Sequence, residues 1–131
     1  LSLPRFGMSM KQWFDLEETI DVVVHNGAIV NTLMPFEALK SANVDGTLRC
    51  VRLCGSKRVK PLIFISTMSV LNGDPSRDSN KPLTPWLAAK LDGYALSKFI
   101  AESIVHKAAI RIPCFVARLG TIFASRQTGG G

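Results

Sequence analysis

At 131 residues, 47% of them hydrophobic and 20% charged, the sequence has the size of one small domain and enough apolar side chains for a core, which excludes a disordered chain. Sixteen Lys and Arg against ten Asp and Glu leave a net charge of +6, on a mixed surface without the basic run of a nucleic-acid arm; the densest cluster, Lys57, Arg58 and Lys60, reads as a helix end meeting a turn. Apolar runs stop at about six residues where a membrane span needs roughly 20, and the odd set Cys50, Cys54 and Cys114 lacks zinc spacing, so the reading is three reduced, buried thiols in a cytoplasmic protein.

Ser9 is a good N-cap, and the pattern after it predicts a helix over 10–19 with Trp13, Phe14 and Leu16 as its apolar face. The β-branched run 20–24 predicts a buried strand. Pro35 can open a second helix, carrying Phe36, Leu39, Asn43, Thr47, Val51 and Leu53, with Gly46 mid-helix for close packing and Gly55 as the stop. A strand at 62–65 follows, then a long polar, proline-bearing loop over 72–92. A third helix is predicted over 93–109 with Phe99, Ile100, Ser103 and Ile104 inward, then a strand at 114–117 and a loop-like tail after Ala124. Short apolar strands alternating with helices predict an α/β fold with a parallel sheet and right-handed crossovers.

Tyr94 and Lys98 are four apart on the third helix and share a face. A phenol is a poor acid at neutral pH, and an ammonium one turn away is expected to lower its pKa; Lys98 also has donors for the ribose hydroxyls of a nicotinamide cofactor. Such a pair alone is a weak motif. Its context adds weight. The strand at 62–65 runs into Ser66, Thr67, Met68 and Ser69, and hydroxyls at the carboxyl end of a parallel strand lie where ligands bind. Thr67 can then hold the carbonyl oxygen that Tyr94 protonates, while the bland reading of these hydroxyls is a simple turn. The first strand ends in His25, Asn26, Gly27 and Ala28, whose small residues admit a close cofactor. His25, at the end of a buried strand, reads as a structural hydrogen-bonder, and His106 as a charge partner for a helix C-terminus.

The stretches LSLPRFGMS, DVVVHNGAIVN, ANVDGT, FISTMSV, YALSKFIAE and RLGTIFASRQTGG, in this order, resemble the extended short-chain dehydrogenase/reductase superfamily. More narrowly they are similar to the thioester reductase domains of nonribosomal peptide synthetases, some polyketide synthases, α-aminoadipate reductases and carboxylic acid reductases. That resemblance implies a Rossmann-type doubly wound parallel sheet, of which residues 1–131 would hold strands 4–6 and their helices. It implies catalytic positions at Thr67, Tyr94 and Lys98, and cofactor-binding positions at Gly27, Ala28, Asn43, Tyr94, Lys98, Leu119 and Gly120. It also implies NADPH as cofactor, an acyl-phosphopantetheinyl carrier domain in the same polypeptide as partner, and reduction of the carrier-bound thioester to an aldehyde or alcohol.

Two departures touch the nicotinamide pocket: the family's RPG is Arg118, Leu119 and Gly120, and a later family glycine is Ala124. The glycine-rich GxxGxxG turn and a substrate-binding subdomain are absent from the sequence. Together with the start at Leu1 and the end at Gly131 this suggests a piece of a longer protein, with an exposed apolar edge, marginal stability and no activity on its own. The alternatives are a fatty acyl-CoA reductase or nucleotide-sugar epimerase or dehydratase of the same superfamily, and a non-catalytic Rossmann-like binding remnant.

Overall fold

The computed structural model describes residues 1–71 and 89–120. After a short 3-10 turn at Pro4–Gly7 come α1 (Met10–Thr19), β1 (Val23–His25), α2 (Phe36–Asn43), α3 (Asp45–Gly55), β2 (Leu62–Thr67), a second 3-10 turn (Met68–Leu71), α4 (Gly93–Ala108) and β3 (Cys114–Leu119). The strands form one parallel sheet in the order β1-β2-β3. Most of the predicted loop, residues 72–88, and the tail with Ala124 lie outside the described residues.

Ser9 caps α1 as expected, in a reciprocal box: its hydroxyl accepts from the Gln12 backbone at 3.3 Å, and Gln12 Oε1 accepts from the Ser9 backbone at 3.0 Å. The predicted apolar face is not a core face. Trp13 and Leu16 are half-buried and Phe14 is exposed, and the buried residue of this helix is Glu17, held by the Trp13 indole at 2.7 Å.

The single helix predicted from Pro35 is two. Pro35 is the N-cap of α2, and Val44 (φ −94°, ψ −58°) separates α2 from α3. Gly46 therefore sits in the first turn of α3, where a Cβ would come within 3.2 Å of Leu1 Cβ, so close packing is its use. Gly55 ends α3, but the left-handed residue is Lys57 (φ 48°). The basic cluster is a helix end, and Lys60 explains how it is closed. Its fully buried ammonium donates to the carbonyls of Arg58 at 2.8 Å and Ser56 at 3.1 Å in the turn beyond α3, and to the Leu53 carbonyl of the last helical turn at 3.5 Å.

β1 is shorter than predicted and is buried on one face only. His25 is 4% exposed, whereas Val24 is 59% exposed. Among the described residues β1 is an edge of the sheet, the exposed apolar edge that the resemblance implied, although the run of valines alone reads as buried. In register, Val24 pairs with Ile63 and Ile63 with Phe115, and this row forms the face away from the core. The opposite face, Leu62 and Phe64, packs on Cys50, Cys54, Ala101, Val105 and Ile112. Burying each large side chain there contributes about 1.5–3 kcal/mol. Burial pushes the Cys50 thiol up to about 11 and Cys54 up to about 12, the latter also raised by Cys50 and Cys114, so both are inert core thiols.

β2 and β3 each extend two residues beyond prediction, because Ser66, Thr67, Arg118 and Leu119 continue the ladder. On α4 the inward face is Ala95, Lys98, Phe99, Ala101, Glu102 and Val105. Phe99 was expected there; Ile100, Ser103 and Ile104 are only half-buried. The apolar pattern misled because two charged residues, Lys98 and Glu102, occupy core positions.

Candidate active site

Parallel strands leave their carboxyl ends on one edge, and three loops meet there: residues 26–35 after β1, the turn after Thr67, and Gly120 after β3. A cleft of about 570 Å³ opens between them, a volume in the range of small-molecule sites. Thr67, Tyr94 and Lys98 all line it, together with Ala28, Leu119 and Gly120. Gly27 and Asn43 do not.

Two anchors fix α4 over β2. Asp92 caps the helix by accepting from the Ala95 backbone at 2.7 Å. Gly93 then passes so close to the start of α2 that a Cβ would lie 2.3 Å from the Met34 carbonyl oxygen and 2.7 Å from the Phe36 nitrogen. Tyr94 follows directly and reaches the cleft.

Lys98 is 3% exposed. Its ammonium donates to the Ile65 carbonyl at 2.7 Å and lies 4.1 Å from the centre of the Phe64 ring. Burial pulls its pKa down to about 8, opposed by the Glu102 carboxylate. One of its three hydrogens is thus committed to the strand.

Tyr94 departs from expectation. Its phenol is pushed up from the ordinary value by burial and by the Asp92 carboxylate. The ammonium one turn away is engaged with β2 and does not lower it. The phenol therefore stays protonated at neutral pH, which is the form a proton donor needs. Thr67 Oγ1 accepts from the Ser69 backbone and donates to the Ser69 hydroxyl, both at 3.2 Å. The turn read as the bland alternative is present, and the same hydroxyl faces the cleft.

Asn43 sits behind the cleft at 1% exposure. Its carbonyl accepts from the Ile29 backbone at 2.8 Å, and its amide donates to the Ile29 carbonyl at 3.0 Å and to Ser97 Oγ at 2.9 Å. Ser97 in turn donates to the Tyr94 carbonyl at 2.7 Å. Asn43 thus ties the loop after β1 to α4, and its amide is spent on protein partners. Gly27 has its open side filled by Leu1, whose Cδ1 is 2.6 Å from where a Cβ would stand.

His25 is a structural hydrogen-bonder. Its Nε2 lies 2.8 Å from Thr47 Oγ1, and because that hydroxyl donates to the Asn43 carbonyl at 2.6 Å, Nε2 carries the proton. Burial, with the Lys98 charge, lowers its pKa to about 4. His106 lies in the last turn of α4, as expected, and there also meets the Glu102 carboxylate at 3.3 Å. Glu102, which pairs with Arg118 through both Nε (3.0 Å) and Nη2, had no role in the sequence reading, where Arg118 figured only in the RPG-like motif. The signal was available: a Glu one turn past Lys98 on the inward stripe.

A second cleft of about 560 Å³, bordered by Trp13, Arg49 and Arg52, contains none of the candidate catalytic residues. Among the described residues no three His, Cys, Asp or Glu converge as metal ligands would, and no helix is long and apolar enough to cross a membrane.

A parallel α/β sheet with hydroxyl, phenol and ammonium gathered at its carboxyl edge defines a Rossmann-type domain of the short-chain dehydrogenase/reductase kind. The whole chain, residues 1–131, matches the NAD-binding family described as male sterility protein, and the chain belongs to that family. It is 37% identical over 134 residues to a polypeptide of the linear gramicidin synthase of Brevibacillus parabrevis, covering 98% of this chain and 3% of that protein. It is 31% identical over 147 residues to L-2-aminoadipate reductase of Schizosaccharomyces pombe, covering 98% of this chain and 10% of that one. Among solved structures, the terminal R domain of the myxalamid PKS-NRPS pathway superposes with a TM-score of 0.78 at 39% identity, over 91% of this chain and 31% of that chain. The chain therefore spans a small part of the curated relatives it matches.

Proposed function

We propose that this chain forms the catalytic edge of a reductase that converts an acyl thioester, carried on the phosphopantetheine arm of a carrier domain in the same polypeptide, to an aldehyde or alcohol with NADPH. The observation that carries the reading is the meeting of Thr67, Tyr94 and Lys98 on one cleft at the carboxyl edge of the sheet. The relatives support a reductase of this class, since the chain is similar to a linear gramicidin synthase subunit, an L-2-aminoadipate reductase and a terminal R domain of a PKS-NRPS pathway.

The cleft suits a nicotinamide cofactor. Among the described residues no Asp or Glu lines it, the Lys98 ammonium borders it for the ribose hydroxyls, and no atom stands within 4 Å of where a Cβ would sit on Gly120. When bound, the cofactor supplies the hydride. The chain's own residues do the rest. Thr67 Oγ1 and the Tyr94 hydroxyl hold the carbonyl oxygen, and Tyr94 gives its proton as negative charge develops there. Lys98 orients the ribose with the hydrogens that its bond to the Ile65 carbonyl leaves free. Asn43 and Gly27 contribute by shaping the loop that faces the cofactor.

The test is NADPH oxidation by the full-length protein with an acyl-phosphopantetheine thioester and, in parallel, acyl-CoA. Tyr94→Phe is expected to lower turnover by about 10²–10⁴-fold while NADPH still binds. Undiminished turnover in the variant sinks the assignment of Tyr94, and activity confined to acyl-CoA replaces the carrier-bound substrate with a free one.

A further inference from the structure

The charged cluster beneath the cleft is not used by the chemistry proposed above. Glu102 is fully buried on α4, one turn beyond Lys98. Its Oε2 accepts from Ser66 Oγ at 2.6 Å, and its Oε1 accepts from Arg118 and His106. Ser66 and Arg118 face each other in the β2–β3 register, and the next pair in that ladder is Thr67 with Leu119. One carboxylate therefore touches the residue before Thr67, the residue before Leu119, and the helix that carries Tyr94 and Lys98.

Resting on the reductase reading, we propose that Glu102 is the positioning residue of the site: its buried carboxylate clamps α4 to β2 and β3 and, through its charge, keeps Lys98 an ammonium. A buried carboxylate without a partner is costly, and here Arg118 and Ser66 satisfy it, so the charge persists where a lone acid would neutralise. The pKa of Lys98 fits this, since burial drives it down to about 8 and Glu102 is the group that opposes the fall. Among the described residues the other groups near the ammonium do not substitute for Glu102: β2 offers the Ile65 carbonyl and the Phe64 ring, β1 offers neutral His25, the preceding turn of α4 carries the protonated Tyr94, and the cation of β3, Arg118, is engaged by Glu102 itself.

The clamp and the charge separate in two variants of the full-length protein. Glu102→Gln keeps the shape and an acceptor but removes the charge; Arg118→Gln keeps the carboxyl group but removes the cation that holds it ionised. Competitive acetylation across pH, read peptide by peptide in a mass spectrometer, gives the titration midpoint of Lys98 without any need for turnover. In the native protein the midpoint is expected near the value of about 8. Glu102→Gln should weaken proton affinity about tenfold, one pH unit, and Arg118→Gln should weaken it too, by less, because the carboxylate without its cation is driven toward its neutral form. Where NADPH oxidation is present, its alkaline limb should move with the midpoint. Midpoints that stay put or rise in either variant overturn the proposal, because mere loosening of α4 hydrates the ammonium and lifts a pKa that burial holds down. Absent turnover in the native protein counts against the reductase reading alone, and the acetylation midpoints still decide the role of Glu102.

Discussion

Beneath the cleft lie two buried polar assemblies that hold α4 by different means. On one side His25, Thr47, Asn43 and Ser97 form a neutral chain from β1 through α3 and α2 to α4, and it ends on backbone: Ile29 and the Tyr94 carbonyl. On the other, Glu102, Arg118, Ser66 and His106 form a charged cluster that joins side chains of α4, β2 and β3. The neutral chain fixes where loops run, because each bond satisfies a buried main-chain or hydroxyl group that would otherwise be unpaired. The charged cluster also sets a field, and taking away one of its charges changes that field. The two assemblies should therefore fail differently.

The largest effect is expected at the seam between them. Gly93→Ala places a methyl group 2.3 Å from the Met34 carbonyl oxygen and 2.9 Å from the Pro35 carbonyl carbon, all backbone atoms that cannot rotate away. Overpacking of this kind is expected to destabilise the first turn of α4 by about 3–4 kcal/mol, the upper end of its range or beyond. Amide exchange in the full-length protein reads this directly. Amides near Asn43 and in the first turn of α4 should open, while those near Glu102, deep in the same helix, stay protected. Uniform opening along α4 would erase the distinction between the two assemblies.

That distinction was only half legible in the sequence. Alternation of apolar runs and helical patterns disclosed the parallel sheet, and a Tyr and Lys four apart after a strand ending in Ser66 and Thr67 disclosed the cleft. The break at Val44 was hidden because both halves keep helical periodicity. Ile100, Ser103 and Ile104 were read as inward from helical spacing, yet Lys98 and Glu102 take core positions alongside Phe99 and Ala101 through partners far away in sequence. The Tyr94 pKa went the other way for a similar reason. Helical spacing puts Lys98 nearby, but only the fold shows its hydrogen directed at Ile65.

Acid should separate the assemblies next. His25 is buried neutral with its pKa lowered to about 4 from the ordinary 6.5, by burial first and then by Lys98. A depressed pKa means that the unfolded chain binds the proton more tightly. The stability it represents is complete above about pH 6.5 and is lost as the pH falls toward 4, in total about 3 kcal/mol. Exchange measured over that window should show β1 and the loop after it opening first. His25→Gln should flatten the pH dependence; an unchanged slope in that variant would place the acid-labile group elsewhere.

The smallest effect tests whether the neutral chain is continuous. Ser97 Oγ donates to the Tyr94 carbonyl and accepts from Asn43, so it is the one link between α2 and the turn bearing Tyr94 in this chain of bonds. Ser97→Ala is expected to cost about 1 kcal/mol, one neutral hydrogen bond net of solvent, and Asn43→Ala about 2 kcal/mol because both Ile29 groups also lose their partner. If the bonds act as a unit, the double variant costs less than the sum by about 0.5–1 kcal/mol, since the second removal finds the chain already broken. Strict additivity would mean that Asn43 holds the loop and Ser97 holds the helix independently, and the position of Tyr94 would then depend on Gly93 and the Asp92 cap rather than on the loop after β1.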